Sequence, residues 1–149
     1  MKQNLDLPLY LFHQGTNFRA YEFLGAHSAE KNGERGFVFR VWAPNARGVF
    51  VTGSFCGWDE KAFPMEKISG GGVWEAFVPG AKKGDLYKFA VAAKKGKTLL
   101  KADPYAFHSE TRPATASVVY EPEYQWGDGD WLERRKKTDI KTRPVNIYE

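Results

Sequence analysis

From Gly36 onward the side chains alternate repeatedly with a period of two, and this pattern most narrows what the chain can fold into. Phe37, Phe39 and Val41 fall on one side of an extended segment and Val38, Arg40 and Trp42 on the other, because successive strand residues point to opposite faces. Ala43-Pro44-Asn45 ends the run, and Val49, Phe50, Val51 and Thr52 form a second strand. Only a few residues separate the two, so an antiparallel hairpin is expected. After the glycines at 70–72, further strands are expected over 73–78, 86–93, 98–101 and 117–120. No sustained helical periodicity interrupts them, which predicts an all-β, antiparallel sandwich of about six to eight strands. Aromatic residues make up 15% of the chain, so its core should be aromatic-rich.

A length of 149 residues allows one domain with trailing segments. Leu9, Leu11, Phe12, Phe18, Tyr21, Phe23 and Leu24 have mixed spacing interrupted by Pro8 and Gly15, which predicts short helical turns at the N-terminus. The expected division is a short helical segment over 1–30 that packs on the sandwich, the sandwich over 31–122, and a charged linker over 123–149. In the last piece Val145, Ile147 and Tyr148 look like the start of a strand belonging to a following unit.

The net charge is +4, and residues 133–143 hold six basic and two acidic side chains, an excess equal to that whole charge. A short basic run of this kind reads as a solvated linker or outer helix face, so no nucleic-acid partner is expected. No apolar run reaches the ~18 residues of a membrane span and no secretory leader is evident, so no membrane contact and a cytoplasmic location are expected. A single cysteine and three scattered histidines exclude an internal disulfide and zinc spacing. No metal and no cofactor are expected.

Catalytic chemistry finds little to work with. The glycines at 70–72 lack the Lys-Ser/Thr of a phosphate loop and precede a strand. Asp59, Glu60, Glu66, Glu75, Asp85 and Asp103 show no pairing of the kind glycoside chemistry requires, and Cys56 reads as a partly buried thiol. His13, His27 and His108 read as packing or hydrogen-bonding residues. Sugar binding asks instead for an exposed ring and a few fixed polar groups. Trp58 lies in a Gly-rich loop outside the alternation, and Lys88, between Tyr87 and Phe89, points away from the core when those two point inward. The competing reading packs Trp58 onto the sheet and leaves Lys88 merely solvated.

Gly53-Ser54-Phe55-Cys56-Gly57-Trp58-Asp59, Gly72-Val73-Trp74-Glu75, Tyr87-Lys88-Phe89 and Asp103-Pro104, in this order, resemble carbohydrate-binding module family 48. The phrases at 21–27, 41–46, 101–107 and 112–117 narrow the resemblance to the amino-terminal part of glycogen (1,4-α-glucan) branching enzymes. The resemblance implies an immunoglobulin-like sandwich that is itself non-catalytic. It implies a following (β/α)8 barrel of the glycoside hydrolase family 13 type, entered at Pro144-Val145-Asn146-Ile147-Tyr148-Glu149, with all catalytic residues beyond Glu149. Such an enzyme cuts an α-1,4 bond and transfers the chain to form an α-1,6 branch. The resemblance assigns glucan contact to Trp58, Lys88 and Leu100.

Strong binders of the family carry a second stacking Trp where this chain has residues 98–102, and Cys56 stands where Asn is common. Binding of α-glucan such as glycogen or a maltooligosaccharide should therefore be weak, roughly millimolar. Trp126 and Trp131 are expected to pack on the barrel. The alternative is the sandwich of a debranching or trehalose-releasing hydrolase.

Overall fold

The computed structural model describes residues 4–94 and 96–149. Its strands are β1 (Gly25–Lys31), β2 (Glu34–Trp42), β3 (Gly48–Gly53), β4 (Phe63–Pro64), β5 (Glu66–Lys67), β6 (Val73–Pro79), β7 (Leu86–Ala92), β8 (Thr98–Lys101), β9 (His108–Ser109) and β10 (Ser117–Val118). They form two antiparallel sheets. The first has the order β1-β2-β6-β5. In the second, β4, β3 and β7 lie side by side, and the far edge of β7 is shared by β10 at its start and β8 at its end, with β9 outside β10. The inward alternation of each sheet supplies the core: Phe37, Phe39, Val41, Trp74 and Val78 from the first, Val49, Val51, Tyr87 and Phe89 from the second. Each such side chain contributes roughly 1.5–3 kcal/mol by leaving water. The expected all-β sandwich and aromatic core are present.

The expected hairpin between residues 37–42 and 49–52 does not form. β2 pairs with β1 and β6, whereas β3 pairs with β4 and β7, so the two strands lie in different sheets. The connection between them is bonded at one end to each sheet: Ala43 N–H donates to Gly72 O at 2.8 Å, and Arg47 N–H to Ala92 O at 2.9 Å. A short connection thus bridges the core rather than folding back.

The first sheet also starts earlier than the hydrophobic alternation suggests. Gly25–Lys31 is rich in small and polar residues with little intrinsic strand preference, and its register with β2, from Gly25 opposite Arg40 to Lys31 opposite Glu34, makes it a strand. Asn32 and Gly33, at φ +55° and +81°, form the tight turn that the right-handed twist of a hairpin favours.

The N-terminal segment contains α1 (Asp6–His13) and a 3-10 turn over Ala20–Glu22. Leu5, Leu9 and Phe12 pack on a second apolar cluster of Ala20, Phe23, Leu24 and Val73. Val73 points away from the sandwich core, so this cluster covers the outer face of the first sheet. Phe12 meets Trp42 edge-on at 5.7 Å, and the Trp42 indole N–H donates to Gly71 O at 2.9 Å. The buried Arg40 guanidinium bonds Glu75 through Nε at 2.6 Å and Phe23 O through NH1 at 3.2 Å, tying segment and sheet together.

Beyond β10 the chain runs through α2 (Gly129–Lys137), which buries no residue, and Arg134, Arg135, Lys136 and Lys137 of the basic run lie in its last turn. Among the described residues no helix is long and apolar enough to cross a membrane.

Candidate functional site

The outer face of the second sheet buries Thr52 and Ala90 and leaves Leu100 exposed. Its side chains follow from register: Thr52 lies opposite Lys88, Phe50 opposite Ala90, and Ala90 opposite Leu100. Lys88 and Ala90 are two apart on β7 and share a face, so Lys88 and Leu100 come to the same side of the sheet. Leu100 is 44% exposed. Lys88 is half-buried, and its ammonium donates to Thr115 Oγ1 at 2.7 Å.

Trp58 sits in the loop that leaves β3. A Cβ on Gly53 would lie 2.1 Å from Leu86 O, so only glycine lets the loop pass this close to β7. A 3-10 turn over Ser54–Cys56 follows, and then Gly57 and Trp58 both adopt left-handed backbone, at φ +59° and +65°. Left-handed backbone costs a bulky L residue roughly 1–2 kcal/mol. The loop sustains it through its own bonds: Trp58 N–H to Gly53 O at 3.0 Å and Asp59 N–H to Cys56 O at 3.2 Å. The turn directs Phe55 into contact with Phe39 and Phe63, while Trp58 remains 39% exposed.

Cys56 takes part in the same loop. Its half-buried sulfur accepts from Gly53 N–H at 3.4 Å and lies 3.7 Å from Thr52 Oγ1. The thiol therefore faces the loop's own backbone. Ser54 Oγ donates to Asp85 Oδ1 at 2.9 Å and accepts from Leu86 N–H at 3.1 Å, which ties the loop to the start of β7.

Beneath this face lies a buried polar group whose importance the sequence reading missed. Tyr87 OH donates to Asp103 Oδ2 at 2.7 Å, Tyr105 N–H to Asp103 Oδ1 at 2.8 Å, and Asp103 N–H to Ser117 Oγ at 2.8 Å. Burial pushes the Asp103 carboxyl above its ordinary value, against the donors that favour its charged form. Burial, and next the adjacent carboxylate, push the Tyr87 phenol upward as well. The network holds β7, β10 and the 103–107 stretch together directly under Lys88. The Asp103-Pro104 pair was the available signal, but nothing local pairs Asp103 with a tyrosine sixteen residues earlier.

Register places Glu66 opposite Glu75, but Glu75 is engaged by Arg40. Among the described residues no group of three or more His, Cys, Asp or Glu side chains is arranged to hold a metal. The histidines make local contacts: His13 Nε2 lies 3.0 Å from Ser69 Oγ, His27 Nε2 donates to Leu24 O at 2.8 Å, and the His108 ring is 5.6 Å from that of Tyr120.

The family model described as carbohydrate-binding module 48 (isoamylase N-terminal domain) matches residues 23–106. The chain is 51% identical over 145 residues to the 1,4-alpha-glucan branching enzyme GlgB of Halothermothrix orenii, and 47% identical over 145 residues to that of Geobacillus stearothermophilus. Each alignment covers 97% of this chain and 23% of the relative, so the chain spans less than a quarter of their length. Among solved structures, the pullulanase from Bacillus acidopullulyticus aligns with a TM-score of 0.50 at 28% identity, over 66% of this chain and 12% of that one.

Proposed function

The chain belongs to the carbohydrate-binding module 48 family, and on that footing we propose that it is the non-catalytic amino-terminal domain of a cytoplasmic 1,4-α-glucan branching enzyme. Its parent would cut α-1,4 bonds in a glucan and rejoin the chains as α-1,6 branches, with the catalytic groups supplied by a following barrel. What supports this over a hydrolase parent is the reach of the similarity. At 51% identity it includes the N-terminal segment and the tail, outside the 23–106 match, whereas the likeness to pullulanase is 28% over two thirds of the chain.

Two roles belong to this reading. The first is docking onto the barrel, for which the tail aromatics are the natural contact: Trp131 and Leu132 of α2 are 51% and 39% exposed. The second is weak α-glucan binding on the outer face of the second sheet. The observation that carries it is the pair of left-handed residues that hold an exposed indole at the end of β3. In this reading Trp58 stacks on the C–H face of a glucose unit, Lys88 donates to a hydroxyl, and Leu100 supplies apolar contact where a second ring would strengthen the site. A single ring predicts a millimolar site, which suffices for a module that raises local substrate concentration by tethering.

Titration of the chain with maltoheptaose, followed by amide and indole NMR, tests the second role. Shifts centred on Trp58, Lys88 and Leu100 that disappear in Trp58→Ala are the expected result. A silent spectrum at ~10 mM sugar, above the millimolar estimate, overturns glucan binding and leaves the docking role.

A further inference from the structure

Outside residues 133–143 the charges sum to zero, yet basic and acidic residues are clustered in different stretches of the chain. Between the 43–47 connection and the β7–β8 hairpin lies an open groove of about 850 Å³, walled by Pro44, Ala46, Val91, Ala93 and Leu99 and flanked by Lys94 and Lys97. Arg47 and Lys101 stand in the same two stretches, and residues 43–48 and 91–101 contain no carboxylate. The groove has no aromatic ring in its lining, so it gives a sugar or nucleobase nothing to stack on. Aliphatic walls surrounded by cations suit an apolar side chain carried on an acidic polypeptide.

This chain contains such a polypeptide. Residues 121–130 carry Glu121, Glu123, Asp128 and Asp130 and no Lys or Arg. Within them Tyr124 and Trp126 are 73% and 78% exposed, their rings edge-on with centroids 5.0 Å apart. The root of the segment is held at the β6–β7 turn: Lys83 bonds Glu123 at 2.5 Å and lies over the Tyr120 ring at 5.4 Å. Lys83 precedes β7 and the groove follows it. The seven residues of β7, at roughly 3.3 Å each, therefore separate the root of the segment from the groove of its own copy.

We infer that the groove receives residues 121–130 of a second copy of this chain, with Trp126 or Tyr124 seated between Pro44, Val91 and Leu99 and the carboxylates facing Lys94, Lys97 and Arg47. Each copy offers one groove and one segment at opposite ends, so the contact is heterologous and propagates head to tail. The glucan face is left uncovered, so the inference does not depend on glucan binding, and it draws on Trp126, which docking on a following barrel would also use.

Sedimentation velocity on the 149-residue chain, from about 10 μM to 1 mM, tests it. Average mass should rise with concentration, and the rise should shrink when NaCl is increased from about 50 to 500 mM, because the facing charges are then screened. Trp126→Ala should weaken association about tenfold or more. The decisive arm uses two charge-reversed chains, Lys94→Glu/Lys97→Glu and Glu121→Lys/Asp128→Lys. Each alone should stay monomeric, while an equimolar mixture should associate, since the native groove of one chain then meets the native segment of the other. The substituted side chains are exposed, and a native-like amide spectrum verifies each fold. A wild-type chain that is monomeric throughout, a reversed chain that associates like wild type, or a mixture that stays monomeric overturns the inference.

Discussion

The two outer faces of the sandwich begin from the same alternation and end differently. On the first sheet the outward positions Arg40, Trp42 and Val73 lie under or beside the N-terminal segment, and the carbonyl of Phe23 is bonded to a buried guanidinium. On the second sheet the outward positions Lys88 and Leu100 have no such cover, and the adjoining loop holds Trp58 in left-handed backbone. The difference is between a face on which an added segment packs and a face whose exposed apolar residue, Leu100, keeps no such contact with that segment.

The strongest way to break this comparison is at the cover. Phe23 is fully buried in the second cluster, so Phe23→Ala should cost about 3–5 kcal/mol in urea unfolding. A loss below about 1 kcal/mol would show that the first sheet does not need its cover. Next comes the ion pair. Glu75→Ala removes the Glu75 carboxylate that the 6%-exposed Arg40 bonds. A fully buried pair loses about 3–5 kcal/mol in this way; because Glu75 is itself 32% exposed, the expected loss is about 2 kcal/mol.

The polar network under the second face gives a smaller, pH-dependent effect. Because burial raises the Asp103 carboxyl in the folded state, its protonation contributes stability that is complete below the ordinary carboxylate range and lost as pH rises through the raised value. Relative to Asp103→Asn, the native chain should therefore gain thermal stability on acidification through that interval. A difference in Tm between the two that stays flat with pH would place Asp103 outside the titrating set. The smallest stability effect belongs to Trp58→Ala, within about 0.5 kcal/mol, since alanine occupies left-handed backbone at similar cost and little packing is lost. The same substitution should abolish the maltoheptaose shifts, which sharpens the contrast with Phe23→Ala.

Much of the fold could be read locally. The strands at 37–42, 49–52, 73–78, 86–93 and 98–101 follow from alternation and turn residues, and the inward sides of the first four form the core. The strand at Gly25–Lys31 was harder because its side chains carry no strong apolar signal, although Asn32-Gly33 marks the turn that makes it pair. The candidate site was legible in part: Trp58 and Lys88 stand out from the alternation, but their surroundings do not. Thr115 as the partner of Lys88, and Asp103 as the partner of Tyr87, come from chain positions 27 and 16 residues away.

By itself the sequence determined the all-β class, the inward and outward sides of each strand and the solvated tail, because these depend on period, turn chemistry and local composition. The tertiary structure alone decided that β2 and β3 part into different sheets, that the N-terminal segment covers the outer face of the first sheet, and that Asp103 is buried against Tyr87. Those outcomes depend on which distant backbone groups and side chains satisfy one another, and a local pattern carries no record of a partner that is brought close only by the folding of the whole chain.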